Sequence, residues 1–172
     1  MGAYTPFMGE QETNQGGCWF NPEGKPLFDQ ATGQEMTRRC ADFNLRRASR
    51  LVTQAFDQAL RPIGLKITQF SLLVAAYLNE HLILHKLARV MGMDRTTLSR
   101  NLAILEKKDL VTLERGEDRR EVNVRLTPKG LATLQAATPL WRQTQERITT
   151  NLGDERWEHM LGELRILVKG LK

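Results

Sequence analysis

The chain has 172 residues, of which 41% are hydrophobic and 26% are charged, so it is long enough to form a full core without disulfide bonds. It contains no apolar run of the roughly 18–20 residues that a membrane-spanning helix needs, and its amino terminus has neither the basic start nor the apolar stretch of a secretion signal. The cysteines Cys18 and Cys40 have no metal-ligand spacing. These features exclude a membrane protein and a disulfide-stabilised miniprotein, and we expect a cytoplasmic protein without a metal or cofactor.

Charge is distributed unevenly along the chain. The net charge is +5, but residues 1–36 contain one base and five acids, so that residues 37–172 carry a net charge of +9. The first segment also contains six of the thirteen glycines and three of the six prolines and shows no helical or strand period, which predicts an acidic leader outside the core. A cationic body favours polyanionic partners, nucleic acid first and anionic membrane second, and charge alone does not choose between them.

The first predicted element is a long amphipathic helix at residues 37–60, which an Arg-Pro pair then ends. Asn44 lies within its apolar arc and Arg47 at the edge of that arc. Because a buried amide needs hydrogen-bond partners, Asn44 either bonds to a backbone group or a partner subunit, or lines a polar pocket. An apolar helix follows at residues 68–79, and its lack of charge predicts that it is buried.

Two helices joined by a tight glycine turn come next. The spacing predicts a short helix at residues 84–91 and a second helix at residues 95–108, with Asp94 as the N-cap of the second. The periodicity then changes to that of strands at residues 110–115 and 121–126, which predicts a β-hairpin with a charged tip.

The carboxyl-terminal part of the chain is predicted to form two more helices. Thr127 and the proline after it are typical of a helix start, and this helix extends to about residue 151. Pro139 is expected to bend or break it. Asp154 is expected to cap the final helix, which extends to about residue 169.

A helix, a tight turn, a second helix and a charged hairpin together indicate a winged helix-turn-helix fold, mainly α with a small β-hairpin wing. In this fold the second helix enters the major groove of DNA and the hairpin reaches an adjacent minor groove. Leu98, Leu102 and Leu105 share one side of the second helix and are expected to face the core. The outward positions carry three bases and no acid, which favours DNA contact over an ordinary solvated face. They are Arg95, Thr96, Thr97, Arg100 and Lys107.

The tip of the hairpin consists of Asp118, Arg119 and Arg120. Three charges at a hairpin tip often serve only solubility. Alternatively, Asp118 holds one arginine by a charge-assisted hydrogen bond and so prepares it for insertion into the electronegative minor groove. The tip residues by themselves leave both interpretations open.

Six short motifs follow one another along the chain. They are Gly64-Leu65-Lys66-Ile67-Thr68-Gln69-Phe70, Leu87-Ala88, Met93-Asp94-Arg95-Thr96-Thr97-Leu98-Ser99-Arg100, Leu105-Glu106-Lys107-Lys108-Asp109-Leu110-Val111, Asp118-Arg119-Arg120 and Leu126-Thr127-Pro128-Lys129-Gly130. Through them the chain, from about residue 38 to residue 172, resembles transcriptional regulators of the MarR family. The Asp-Arg-Arg tip followed by the Leu-Thr-Pro-Lys-Gly segment is far more specific than any single motif.

The resemblance implies a homodimer that binds a pseudo-palindromic site in double-stranded DNA. Residues 37–62 and 128–172 would then form a helical dimerisation region, and residues 63–127 the winged helix-turn-helix domain, with its wing at residues 111–126. Repression is the default expectation from the family, because a dimer that occupies a promoter blocks polymerase.

The same resemblance assigns roles to individual residues. In the family, the wing arginine two positions after the aspartate enters the minor groove; by motif match this is Arg120, with Asp118 as its support and Arg119 as a phosphate contact. Ser99, within the motif of the second helix, joins the expected DNA contacts.

Members of the family commonly respond to small aromatic or phenolic acids that bind between the dimerisation helices and the winged lobe. Pocket residues are not a fixed motif in the family. Asn44, Arg47 and Trp141 are therefore candidates by residue type and region only.

Other members sense oxidants through a cysteine near the start of the first helix, supported by tyrosines. Cys40 lies in this region, about two residues early, and Arg46 and Phe56 stand where the tyrosines are expected. Neighbouring bases favour the thiolate, and Cys18 is a candidate resolving thiol. The alternative is that Cys40 serves only as a small apolar residue.

Two other classes of protein were weighed. No nucleotide-binding, hydrolase or metalloprotease motif is present, so an enzyme is not expected, and His81 and His85 have a helical metal-binding spacing without a third ligand nearby. A winged-helix interaction module without DNA specificity would retain its activity after alanine replaces Arg100 or Arg120, whereas a DNA-binding regulator would not.

Overall fold

A computed structural model of the protein describes residues 23, 25 and 26 and residues 28–79, 82–115 and 121–171. The described chain divides between two units, Met1–Ser49 and Arg50–Lys172, with the boundary inside a helix. Several sequence predictions concern residues outside the described part. They are those on Cys18, His81, Asp118, Arg119 and Arg120.

In the first unit, the described residues form helix α1 (Gln30–Arg39) and the beginning of helix α2 (Ala41–Leu60). Asp29 caps α1 by accepting the backbone N–H of Thr32 at 2.8 Å. The end of the leader is thus helical although its sequence shows no helical period, and the prediction of a single helix at residues 37–60 is wrong. The two helices are separated at Cys40, whose backbone is extended, with φ −62° and ψ 115°.

Asn44 helps to explain why the chain breaks at this point. Its side-chain amide donates hydrogen bonds to the carbonyl of Arg38 at 3.2 Å and to the carbonyl of Cys40 at 2.9 Å. The Arg38 carbonyl lies in the last turn of α1, where a helix leaves carbonyls without internal donors, and the Cys40 carbonyl also accepts the backbone N–H of Asn44 at 3.1 Å. Of the alternatives considered for Asn44, the structure shows the bond to backbone, at an exposed position.

The second unit contains the rest of α2 and five further helices. After α2, a short 3₁₀ helix (Arg61–Ile63) leads to the others. They are α3 (Ile67–Leu78), α4 (Leu84–Met91), α5 (Arg95–Lys107), α6 (Pro128–Leu152) and α7 (Asp154–Gly170). These bounds confirm the predicted order of helices and place the tight turn between α4 and α5.

A small antiparallel sheet completes this unit. Strands β2 (Val111–Arg115) and β3 (Glu121–Leu126) form the predicted hairpin, with Val111 opposite Leu126. A two-residue strand, β1 (Leu82–Ile83), pairs with the other edge of β3, so the strand order is β1-β3-β2. Strand β1 cannot be predicted from the sequence, because two residues are too few to show alternation. The fold is a winged helix-turn-helix, mainly α, as predicted.

The two carboxyl-terminal helices depart from the prediction in two details. Helix α6 continues through Pro139 without a break. Pro139 and Gln135 are both exposed, so the Gln135 carbonyl that loses its helical donor faces water. Helix α7 has Gly153 at its N-cap position, and Asp154 is its first helical residue and not its cap.

The core of the second unit lies where α3, α5, α6 and the sheet meet. Its largest fully buried side chains are Leu60, Leu72, Leu73, Leu98, Leu105, Val111 and Val124. At the edge of this core, the rings of Phe70 and Trp141 stack with centroids 6.1 Å apart and an angle of 18° between their planes. The core therefore fixes α5 against α3 and the sheet. Within the described ranges, no helix is both long and apolar enough to cross a bilayer.

Candidate nucleic-acid interface

The amino-terminal end of α5 is fixed by its N-cap, Asp94. One carboxylate oxygen of Asp94 accepts the backbone N–H of Thr97 at 2.8 Å, and the other accepts the Thr97 hydroxyl at 2.7 Å. These hydrogen bonds, that of the hydroxyl first, lower the pKa of the Asp94 carboxyl below its ordinary value. The predicted cap is confirmed, and it sets where the outward face of α5 begins.

One face of α5 is buried and the opposite face is exposed. Leu98, Leu102 and Leu105 are at most 2% exposed, as predicted from their spacing. At 3.6 residues per turn, Thr96, Arg100 and Lys107 lie on the opposite side of the helix, and all three are exposed. This face offers two cations and a hydroxyl and no carboxylate.

The remaining predicted residues of α5 lie beside this face. Arg95, in the first turn, and Ser99 are both exposed. Thr97 is exposed too, but its hydroxyl is already donated to Asp94, so in this arrangement it orders the helix start. A DNA contact by Thr97 stays a prediction, and only its methyl group and its acceptor lone pairs are available for it.

Helix α4 adds two bases that the sequence analysis missed. Leu84, Leu87 and Ala88 are buried, and α4 packs on α5. Lys86, between the first two of these, and Arg89, directly after the last, are exposed. The pattern of buried and exposed positions along this short helix was the available signal, and α4 is the helix that braces this motif against the DNA backbone in other proteins of the fold.

The carboxyl-terminal end of α5 is also fixed, by groups that the sequence analysis did not identify. The N–H of Leu110 bonds to the carbonyl of Leu105 at 3.0 Å, and the N–H of Asp109 bonds to that of Glu106 at 2.8 Å. This pair of bonds is a Schellman motif, with Asp109 in the left-handed region at φ 60° where glycine is usual. Both ends of α5 are therefore closed by specific hydrogen bonds.

The candidate effector residues are divided between the two units. Asn44 and Arg47 are exposed and belong to the first unit, while Trp141 belongs to the second and is stacked on Phe70. Trp141 therefore has a packing role in the core. The participation of all three in a ligand pocket stays a prediction.

Cys40 is exposed and its thiol is free. Its candidate partner Cys18 lies outside the described residues. In the described ranges, no three His, Cys, Asp or Glu side chains are grouped as metal ligands would be.

Comparisons with known proteins agree with this geometry. The family model described as "MarR family" matches residues 65–122, which extend from just before α3 to the beginning of β3. The chain is similar to the Mycobacterium tuberculosis transcriptional regulator MosR in complex with DNA, with 41% identity, coverage of 77% of this chain and 96% of that chain, and a TM-score of 0.69. The search of curated proteins returned no match.

The chain is also similar to CouR, a transcriptional repressor known from Rhodococcus jostii RHA1. The structure of CouR bound to a 23-mer DNA duplex is 29% identical, with 77% of this chain and 94% of that chain covered and a TM-score of 0.69. The structure of CouR bound to p-coumaroyl-CoA is 27% identical, with the same coverage and a TM-score of 0.67. With the capped, outward-facing helix α5 and the antiparallel wing, these similarities establish that the chain belongs to the MarR family of DNA-binding transcriptional regulators.

Proposed function

We propose that the protein is a homodimeric repressor that binds a pseudo-palindromic operator in the cytoplasm and is released from it by a small aromatic or phenolic ligand. The observation that carries the proposal is the outward face of α5, where Thr96, Arg100 and Lys107 are exposed opposite a fully buried leucine face. Arginine forms paired hydrogen bonds with guanine, and lysine neutralises phosphate. No enzymatic activity is part of the proposal, because proteins of the MarR family are in general not enzymes.

The DNA-binding part is tested by fluorescence anisotropy with a labelled fragment from upstream of the gene, a salt series and excess non-specific competitor. We expect binding that resists the competitor and weakens steeply with salt. Arg100→Ala should cost about 1–3 kcal/mol on the specific site. Arg142→Ala is the matched control, because Arg142 is an exposed base on α6, outside the proposed DNA face. If the competitor abolishes binding and Arg100→Ala equals Arg142→Ala, the protein is a winged-helix interaction module.

Wing residues Asp118, Arg119 and Arg120 are part of the proposal through their motif. Arg120→Ala should lower operator affinity by about 1–3 kcal/mol if the side chain enters the minor groove. An unchanged affinity would leave the tip with a role in solubility only.

The homodimer is supported by apolar surface on the helices proposed for dimerisation. Helix α7 has no buried residue, yet Leu161, Leu164 and Val168 form a stripe along one side of it. Val168 is 53% exposed in the single chain. Val168→Glu should therefore leave the fold of the chain intact and convert dimer to monomer in sedimentation equilibrium. A dimer of unchanged affinity would contradict the assignment of this stripe to the interface.

An effector of aromatic or phenolic character is supported by the similarity to CouR, whose structure with p-coumaroyl-CoA is known. Such a ligand lowers DNA affinity only as far as it prefers the form that does not fit the operator. Hydroxycinnamic acids, salicylate and p-coumaroyl-CoA should be titrated separately into the protein–operator complex. Release by one of them, weakened by Asn44→Ala or Arg47→Ala, is the expected result, and no release by any of them would leave the repressor without this class of effector.

The exposure of Cys40 supports a second candidate, an oxidant-sensing repressor. Peroxide should then release the operator from the wild type and not from Cys40→Ser. If a reductant restores operator binding to the oxidised wild type and not to oxidised Cys18→Ser, Cys18 is the resolving thiol. Equal release of the operator from the wild type and from both cysteine variants would contradict this candidate function.

A further inference from the structure

The carboxyl-terminal end of α5 is joined to the beginning of α6 by a continuous set of hydrogen bonds. Three consecutive carbonyls after α5 accept donors from one short segment. The Lys108 carbonyl accepts the ammonium of Lys129 at 2.8 Å, and the Asp109 carbonyl accepts the hydroxyl of Thr127 at 2.7 Å. The Leu110 carbonyl accepts the backbone N–H of Thr127 at 3.2 Å. We call residues 108–110 and 127–130 the α5–α6 junction.

Glycine at position 130 lets the two segments of the junction approach closely. A Cβ atom at this position would lie 1.9 Å from the Leu110 carbonyl oxygen. The Gly130 N–H is donated to the Thr127 hydroxyl at 2.9 Å, and that hydroxyl is the donor to Asp109. Thr127 thus caps α6 and contacts the end of α5 with the same oxygen atom. The start of α6 cannot move without moving the end of α5.

Lys108 extends the junction to the other side of α5. Its ammonium donates to the Gly64 carbonyl at 2.6 Å, in the turn that follows α2 and its 3₁₀ extension. Gly64 adopts φ 68°, and its N–H bonds to the Arg61 carbonyl at 2.9 Å. The end of α5 is consequently bonded both to the turn after α2 and to the beginning of α6.

Both lysine side chains are exposed, yet the ammonium groups of Lys108 and Lys129 each donate a hydrogen bond to a carbonyl of the same chain. Exposed lysines of a DNA-binding domain ordinarily serve as phosphate contacts. Here each one satisfies a backbone carbonyl at the end of an element. This arrangement holds the angle between α5 and the helices at either side of it.

We propose that Lys129, with Thr127, is a positioning residue for DNA recognition, which fixes the direction of α5 relative to α6 and thereby the half-site spacing that the protein accepts. The inference rests on the proposed function, because it requires α6 to belong to the dimer and α5 to contact the operator. Two recognition helices of a dimer meet half-sites one helical turn apart, about 34–36 Å. One added base pair turns the second half-site by about 36° and moves it by about 3.4 Å. A rigid junction makes the protein reject such a site, and a loosened junction makes it tolerate the site.

The test uses operators selected from random DNA with the full-length wild-type protein. From the selected sequence, two further duplexes are made with one base pair added or removed between the half-sites. Affinity for all three, and for unrelated DNA, is measured for the wild type and for Lys129→Met, Lys129→Arg and Thr127→Val. Arg142→Met removes one positive charge further along α6 and controls for charge. Thr133→Val controls for the loss of a hydroxyl, because the Thr133 hydroxyl bonds only to the Lys129 carbonyl of its own helix among the contacts described.

The expected result has three parts. The wild type should bind the selected spacing at least about tenfold more tightly than the altered spacings. Lys129→Met and Thr127→Val should reduce this ratio by about three- to tenfold, the value of one or two lost hydrogen bonds. Lys129→Arg should restore most of the ratio, since a guanidinium also donates to a carbonyl. Both control variants should keep the wild-type ratio.

The outcomes separate this inference from the proposed function. If the wild type selects no palindromic sequence, the proposed function fails, and the positioning role fails with it. If the wild type selects one and Lys129→Met lowers its affinity for every duplex equally, as Arg142→Met does, Lys129 is a phosphate contact and the positioning role alone is overturned. Thermal unfolding of each variant accompanies the binding data, and a lower melting temperature with an unchanged spacing ratio shows a purely structural role.

Discussion

Replacement of Gly130 by alanine tests the close approach at the α5–α6 junction. The added Cβ would lie 1.9 Å from the Leu110 carbonyl oxygen and 2.9 Å from its carbonyl carbon, so the backbones must separate by more than 1 Å to reach even a tight contact of 3.0 Å. Overpacking of this kind costs about 1–3 kcal/mol. The movement also lengthens the bond from Thr127 to Leu110, worth about 1 kcal/mol. The better helix propensity of alanine returns up to about 1 kcal/mol.

We expect Gly130→Ala to lower the free energy of unfolding by about 2 kcal/mol, and the melting temperature by about 4–8 °C for a chain of this size. Urea unfolding followed by circular dichroism measures the change, at one fixed protein concentration because a dimer's stability depends on it.

Gly162→Ala is the matched control for this experiment. Gly162 lies within α7, and among the described residues no atom outside the adjoining backbone of that helix lies within 4 Å of the position of its absent Cβ. Alanine there should raise the free energy of unfolding by about 0.5–1 kcal/mol. Replacement of glycine by alanine is thus expected to lower the free energy of unfolding at position 130 and to raise it at position 162. A stability of Gly130→Ala equal to or above that of the wild type would refute the close approach.

Three further predictions concern the ends of α5 and the edge of the core. Asp109→Gly should raise the free energy of unfolding in urea by about 0.5–1 kcal/mol, because glycine adopts φ 60° without a steric cost; a loss would contradict this. Because folding lowers the pKa of Asp94, its contribution to the free energy of unfolding is complete above the ordinary aspartate value near 4 and is lost as the pH falls through the lower folded value. Below about pH 4 the melting temperature of the wild type should therefore fall more steeply with decreasing pH than that of Asp94→Asn. Trp141→Ala should cost about 2–4 kcal/mol in unfolding and Trp141→Phe less, since the latter keeps a ring stacked on Phe70.

The helices that position the DNA face could be predicted because their ends are specified locally. Asp94 caps α5 and Thr127 caps α6, each through hydrogen bonds to a residue three positions further along, and a proline follows Thr127. The observed starts of both helices agree with the prediction. The leucine spacing in α5 gave its buried face for the same reason: periodicity depends only on helical geometry.

The missed features depend on contacts that local pattern does not contain. The break at Cys40 follows from a six-residue contact between Asn44 and the Arg38 carbonyl, and neither residue type specifies it. Strand β1 exists only because β3 pairs with it. Pro139 is a helix breaker by type, and its tolerance depends on the exposure of the carbonyl that it leaves without a donor.

The candidate site shows the same division. Residue type and spacing identified the exposed bases of α5, but they did not reveal the junction that holds Lys108 and Lys129. Lys107 and Lys108 are neighbours in sequence, and Lys108 bonds to a carbonyl 44 positions away, at Gly64. A single contact between residues so far apart in the chain cannot be predicted from one sequence. The junction could therefore not be predicted from residue type and spacing.

Charge and orientation consequently make different contributions to DNA binding by this chain. Bases on the exposed face of α5 and on α4 attract any duplex, because phosphate charge does not depend on sequence. In the proposed dimer, specificity requires that Arg100 meet its base in both half-sites at once. We expect this to depend on the angle of α5, whose ends are held by Asp94 and by the junction. Removal of a base should therefore weaken specific and non-specific binding together. Loosening of the junction keeps the bases exposed on α5 and α4 in place and should weaken specific binding alone.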